Sequence, residues 1–284
     1  MADNHSTANT ISFEVFPPKK DDEFDGVYSI LEELGKLNPA FISVTYGAGG
    51  SRSKKTVEIA DFIENKLHIP AIAHMTCVGN KRESIDQVLE ELKTANVHNI
   101  LALRGDRPVW MDDEQYNSRD FQHANELISY IRSRDPEFHI VGACYPEKHF
   151  EAMSMRADIA RLKDKVDAGC EQLITQLFLD NDAYYRFQET CLANGIHVPI
   201  HAGIMPITSL KQVETSISLS GTSIPKAFSD IAARYAGNPD DFRKAGIDYA
   251  IRQILDLQTY GVDGIHIYSM NKPKTTKTIM DAIR

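Results

Sequence analysis

Residues 10–20 read TISFEVFPPKK. Ile11, Phe13 and Val15 alternate with Ser12, Glu14 and Phe16, and Pro17-Pro18 ends the run, which is a strand pattern with a hard stop. A carboxylate on so apolar a strand is either an edge group facing solvent or a buried acid whose pKa is pushed up. The second kind can donate a proton near neutrality. Further groups able to donate, accept or titrate follow other apolar runs: Thr45-Tyr46, His74 with Thr76, Arg104-Gly105-Asp106, Tyr145 with Glu147 and His149, Gln176, and Tyr268 with Asn271 and Lys272. Each has a plainer reading. A strand histidine is commonly a hydrogen-bonded core residue, Arg104-Gly105-Asp106 reads as a turn with a local ion pair, and Gln176 can satisfy nearby backbone. Asp158, Arg161 and Lys165, spaced i, i+3, i+7, share one helical face. That face is either salt-bridged in solvent or a local basic site for an anionic cofactor, with Asp158 on a ribose hydroxyl.

Two other motifs weigh less. GAGG at 47–50 offers backbone N–H groups to a phosphate, but it lacks both the dinucleotide spacing and the P-loop ending. HVPIH at 197–201 has the spacing of a helical zinc pair, yet Pro199 lies inside it and the segment reads as a strand, so no metal is expected.

The elements that must position these groups alternate in type. Short β-rich runs fall at 10–16, 40–46, 69–76, 97–103, 138–145, 171–178, 198–205 and 263–269. Helical periodicity fills 24–37, 53–66, 82–95, 120–134, 153–168, 181–194 and 208–260, with a last helix from about 274. Glycines and prolines at 221–240 break the long helical region, and 105–119 reads as a surface loop. Alternating strand and helix imply parallel strands. Eight such units in one chain of 284 residues fit a single (β/α)8 TIM barrel over 10–284 better than an open doubly wound sheet. Residues 1–9 read as a flexible N-terminal tail. The polar groups gather at the C-terminal strand ends, where barrel chemistry resides, whereas Asn38-Pro39, His68-Ile69-Pro70 and Gly195-Ile196 at the opposite ends read as connectors.

Net charge is −9, which argues against nucleic acid as a partner. Cys77, Cys144, Cys170 and Cys191 form no CxxC pair and read as small core residues. The polar N-terminus and the lack of any long apolar run argue against a membrane span and make a cytoplasmic location the expectation.

In order, SFEVFPPK, SVTYGAGGS, AHMTC, LALRGDRP, ACYPEKH, KVDAG, ITQLFLD and GIMPI resemble the methylenetetrahydrofolate reductase family. The resemblance spans about residues 11–272 and looks like a bacterial catalytic barrel. It implies FAD at the C-terminal mouth and reduction of 5,10-methylenetetrahydrofolate to 5-methyltetrahydrofolate with NAD(P)H. It further implies a ping-pong reaction, feeding methionine synthesis. By position, Glu14 matches the general acid, and Asp106 the carboxylate between flavin and pterin. Tyr46, Ala48, His74, Arg104, Gly105, Asp106, Ala124, Tyr145, His149, Ala152, Asp158, Arg161, Asp164 and Lys165 match flavin-contacting positions. Thr45 matches a nicotinamide contact, Gln176 a contact to both nicotinamide and folate, and Lys272 a folate contact. Leu210 stands where the enterobacterial pattern has an aromatic residue, Lys272 where it has arginine, and Asp164 where it has a basic residue. A homo-oligomer is expected. The alternative is a flavin- or folate-binding barrel subunit that receives electrons from a partner protein. For the lead reading, burial should lift Glu14 toward roughly 6–7.

Overall fold

The computed structural model describes residues 10–18, 24–46, 50–108 and 111–284. The expected N-terminal tail and most of GAGG, including Ala48, lie outside these residues. The order is β1 (Thr10–Val15), α1 (Phe24–Gly35), β2 (Ile42–Val44), α2 (Gly50–Asp61) with a π-helical turn over Phe62–Lys66, β3 (Ala71–Thr76), α3 (Arg82–Thr94), β4 (Asn99–Leu103), α4 (Asp113–Asn117), α5 (Ala124–Arg134) and β5 (His139–Cys144). Then come α6 (Met155–Asp167), β6 (Gln172–Thr175), α7 (Asn181–Ala193), β7 (Ile200–Ile204), α8 (Leu210–Ser220), α9 (Lys226–Tyr235), α10 (Pro239–Tyr260), β8 (Gly264–Tyr268) and α11 (Pro273–Ile283).

All eight strands are parallel and form a closed barrel in chain order, with β8 pairing back onto β1. The alternation in the sequence explains why. On β1, Phe13 and Val15 are fully buried and belong to the large cluster between the strands and the helices. Ile42, Val44, Ala71, Ala73, Ile100, Ile140, Leu173, Ile265 and Ile267 continue that cluster around the barrel. The intervening residues point inward, and the interior carries its own small cluster of Phe41, Ile72, Leu101, Val141 and Ile174. Because side chains alternate with period two, the same pattern that sets the outer packing aims Ser12 and Glu14 at the barrel axis.

The long helical region breaks into three helices, as the glycines and prolines predict. Gly221 and Gly261 end α8 and α10 in the left-handed region, and Asn238 caps α10 ahead of Pro239. The 105–119 stretch departs from the expected loop in holding α4. Asp112 accepts from the Gln115 N–H at 2.7 Å while the Gln115 side chain reaches back, a capping box that nucleates a single turn. All four cysteines are buried free thiols.

Candidate active site

Glu14 is the last inward residue of β1. In register it lies beside Ser43 on β2 and Tyr268 on β8. It lines a cavity of about 490 Å³ at the C-terminal mouth, together with Thr45, Tyr46, His74, Arg104 and Gly105. Its polar wall also includes Asp106, Tyr145, His149, Gln176 and Tyr268, and its apolar one includes Leu101, Leu103, Ile174 and Met205. The Glu14 side chain is 22% exposed, and it opens onto this cavity. Desolvation pushes its pKa up to about 8, above the range expected from the sequence. The carboxyl is therefore protonated at neutral pH.

His74 faces it from β3, with Nε2 3.6 Å from the Glu14 Oε2. Burial drives the imidazole down to about 3, so it is neutral. Among the described residues its Nε2 has no hydrogen-bond partner, unlike the satisfied core histidine that the plainer reading predicts. Tyr268 lies across β7: its hydroxyl donates to the Thr175 carbonyl at 2.6 Å. A Cβ on Gly203 would meet that hydroxyl at 2.8 Å and the carbonyl oxygen at 2.2 Å, so the ring rests where only glycine fits.

A second cavity of about 380 Å³ adjoins the first, and Leu103, Arg104, Ala143, Tyr145 and His149 line both. Its remaining wall includes Ala124, Ala152, Asp158, Arg161 and Lys165. The i, i+3, i+7 face of α6 thus turns toward a cavity. Asp158 also braces the loop after β5, accepting from the His149 N–H at 2.9 Å. Lys165 donates to the Ala143 carbonyl. Arg104 departs from a local turn pair: its guanidinium grips both carboxylate oxygens of Glu151, with Nη2 to Oε1 at 3.2 Å. This contact raises the Arg104 pKa and lowers that of Glu151. Gly105, at φ +81°, turns the chain sharply after β4. Burial, with Asp106 nearby, lifts Tyr145 to about 12.

The predicted residues divide into those that meet and those that do not. Asp164 pairs with Arg161 at 3.4 Å on the exposed side of α6 and lines neither cavity. Leu210 opens α8 at 38% exposure, and Lys272 caps α11 with Nζ 3.4 Å from the Thr208 hydroxyl. Both follow β7 and β8 on the mouth rim but line neither cavity. The structure adds Glu151, which sequence reasoning missed; its only signal is its place two residues beyond His149. Among the described residues, no group of three or more metal-ligating side chains is arranged to hold a metal, and no helix is long and apolar enough to cross a membrane.

The methylenetetrahydrofolate reductase family model matches residues 2–284. The chain belongs to the methylenetetrahydrofolate reductase family. Within it, the chain is 32% identical over 269 residues to the 5,10-methylenetetrahydrofolate reductase of Pectobacterium carotovorum subsp. carotovorum, covering 95% of this chain and 88% of that one. It is 33% identical over 279 residues to methylenetetrahydrofolate reductase (NADH) 1 of Arabidopsis thaliana, covering 95% of this chain but only 47% of the plant protein. An uncharacterised Clostridium thermocellum protein that binds two copies of 5-methyl-5,6,7,8-tetrahydrofolic acid shares the fold at a TM-score of 0.65 and 17% identity, over 97% of this chain and 93% of its own. Methylenetetrahydrofolate reductases are enzymes, and barrel enzymes carry their chemistry at the C-terminal mouth.

Proposed function

We propose that the chain reduces 5,10-methylenetetrahydrofolate to 5-methyltetrahydrofolate with FAD and NAD(P)H, serving methionine synthesis. The observation that carries the reading is the Glu14 carboxyl, kept neutral by desolvation on the wall of the mouth cavity. The one-carbon unit of the substrate is locked between N5 and N10 in a five-membered ring. Hydride adds only after the ring opens to an N5 iminium, and opening is easier once N10 is protonated. An acid with a pKa of about 8 holds its proton at pH 7 and can deliver it there, directly or through one water. Asp106, on the same wall, stabilises the cation that opening creates.

The two adjoining cavities support an extended dinucleotide across the barrel mouth. Arg104, Arg161 and Lys165 would hold its phosphates and Asp158 a ribose hydroxyl, with Tyr145 and His149 between the two chambers. The flavin would supply hydride transfer there; Thr45 and Gln176 would contact the nicotinamide, and Gln176 the folate as well. One mouth cavity serves both substrates, so they must alternate, which is ping-pong behaviour.

Stopped-flow absorbance of the purified protein tests the reading in two halves. Glu14→Gln should keep flavin reduction by NADH and lose most reoxidation by methylenetetrahydrofolate. Equal loss of both refutes the role of Glu14. Flavin that NADH does not reduce in the unaltered protein would favour a barrel that receives electrons from a partner protein.

A further inference from the structure

The proton donor has a neighbour to which the matched positions assign only a flavin contact. His74 comes from β3, two strands from β1, yet strand tilt brings its Nε2 to 3.6 Å from the Glu14 carboxyl. The imidazole is 6% exposed, and this ring nitrogen is a buried polar atom with no hydrogen-bond partner among the described residues. Leaving such an atom unpaired costs roughly 1–3 kcal/mol. A ring held there without a partner is poised for a state of the site other than the resting one.

We propose that His74 is a positioning residue for the acid. Its Nε2–H donates to the Glu14 carboxylate that appears once the proton has gone to N10. The proposal rests on the reading of Glu14 as the general acid. In the resting site Glu14 is a neutral carboxyl, and the 3.6 Å separation is outside hydrogen-bond range. When the Glu14 O–H bond breaks and the N10–H bond forms, the carboxyl gains a full negative charge in a desolvated corner. A charge-assisted N–H···O⁻ bond is about twice as strong as a neutral one. The contact therefore stabilises the product of proton transfer more than the reactant, which is the differential binding that speeds a step. No proton leaves His74; the imidazole stays neutral throughout.

Geometry favours His74 over the other groups around the acid. Tyr268 is committed to the Thr175 carbonyl, and Arg104 pairs with Glu151 in the resting site and would turn to the dinucleotide phosphates when the cofactor is bound. Asp106 carries the wrong charge to support a carboxylate, and Tyr145 and His149 face the second chamber as well. Beneath, His266 is held between the Ser12 and Ser43 hydroxyls, at 2.8 and 3.3 Å. Tyr46 donates to Asn80 at 2.9 Å.

Infrared titration of the protein as purified reads the contact directly, through the carboxylic C=O band absent from Glu14→Gln. His74→Leu should move the midpoint of that band about one pH unit upward, a tenfold weaker acid. His74→Met gives a second apolar variant should the leucine protein not fold. His74→Gln, which restores an N–H donor, should return the midpoint toward its original value. The two apolar variants should slow flavin reoxidation by methylenetetrahydrofolate roughly tenfold, as expected for losing one charge-assisted bond, and the glutamine variant should not. Absorbance of each purified variant gives its flavin content, so lost cofactor is not mistaken for a slower step. An unmoved midpoint in both apolar variants overturns the inference, and so does a glutamine variant that behaves like leucine, because burial alone would then account for the shift. If Glu14→Gln itself leaves reoxidation intact, the acid assignment falls first. If it abolishes reoxidation while the histidine variants change nothing, only the role of His74 falls.

Discussion

The barrel interior is filled by two different materials. Toward β2–β6 it holds Phe41, Ile72, Leu101, Val141 and Ile174, the bulky apolar filling usual for this fold. Toward β1, β7 and β8 it holds Ser12, His201 and His266, with Ser43 hydrogen-bonded to the same imidazole and Glu14 directly above. Phe41 marks the seam, its ring 5.5 Å from that of His201 and 5.6 Å from that of His266. Polar groups are costly in a core, so their gathering around β8 and β1, with Ser43 and His74 reaching in from β2 and β3, is informative. The apolar sector holds the ring of strands together. The polar sector supports the acid, at the expense of two opposed pH-dependent losses of stability.

The sharpest break between the sectors is chemical. Glu14→Gln should lower the folate half-reaction about 10²–10⁴-fold, the usual worth of acid catalysis, and leave NADH oxidation near normal by stopped flow. On the apolar side, Ile174→Ala should cost about 2–5 kcal/mol in urea unfolding, and by the same amount at acid and alkaline pH, since only packing is lost.

The polar side should instead show two opposed slopes. Burial lowers His74 to about 3 and His201 to about 4, and holds His266 well below the usual range. As pH falls below the ordinary histidine value, the unfolded chain takes up protons that the folded chain refuses, so stability is lost toward acid. Glu14 acts in the other direction. Its folded pKa, about 8, exceeds the ordinary 4.5, so stability declines as pH rises between those values. Glu14→Gln should therefore flatten the decline between about pH 4.5 and 8 by on the order of 2–3 kcal/mol and leave the histidine-linked loss toward acid in place, measured by urea midpoints across pH. The smallest effect concerns the shared wall. Asp106→Asn should raise the flavin midpoint potential by on the order of tens of millivolts, since removing a nearby negative charge favours the reduced anion; a redox titration checks it.

Much of this was legible from the residues. The eight strands could be read because each alternates an outward apolar face with an inward one, and the polar strand ends follow from the same parity at the barrel mouth. The α6 face of Asp158, Arg161 and Lys165 turned to a cavity as its spacing allowed. The helix α4 escaped because Gly, Pro and Asp dominate 105–119, although its Asp112–Gln115 cap was written there. What no spacing revealed were the pairings made by strand tilt and loop path. His74 meets Glu14 across an intervening strand, and Arg104 meets Glu151 across 47 residues. Lys272 and Leu210 show the converse: matched positions that line neither cavity, because loops after β7 and β8 set their direction.

The seam between β1 and β8 has a consequence for biosynthesis. Glu14 is made 255 residues ahead of Ser269, yet its backbone carbonyl is anchored by that serine, through N–H at 3.3 Å and Oγ at 2.6 Å. Its in-register companion, Tyr268, emerges equally late. Until β8 has emerged the proton donor therefore hangs on an unzipped edge, and only the arrival of that strand converts an ordinary ionised glutamate into a neutral acid.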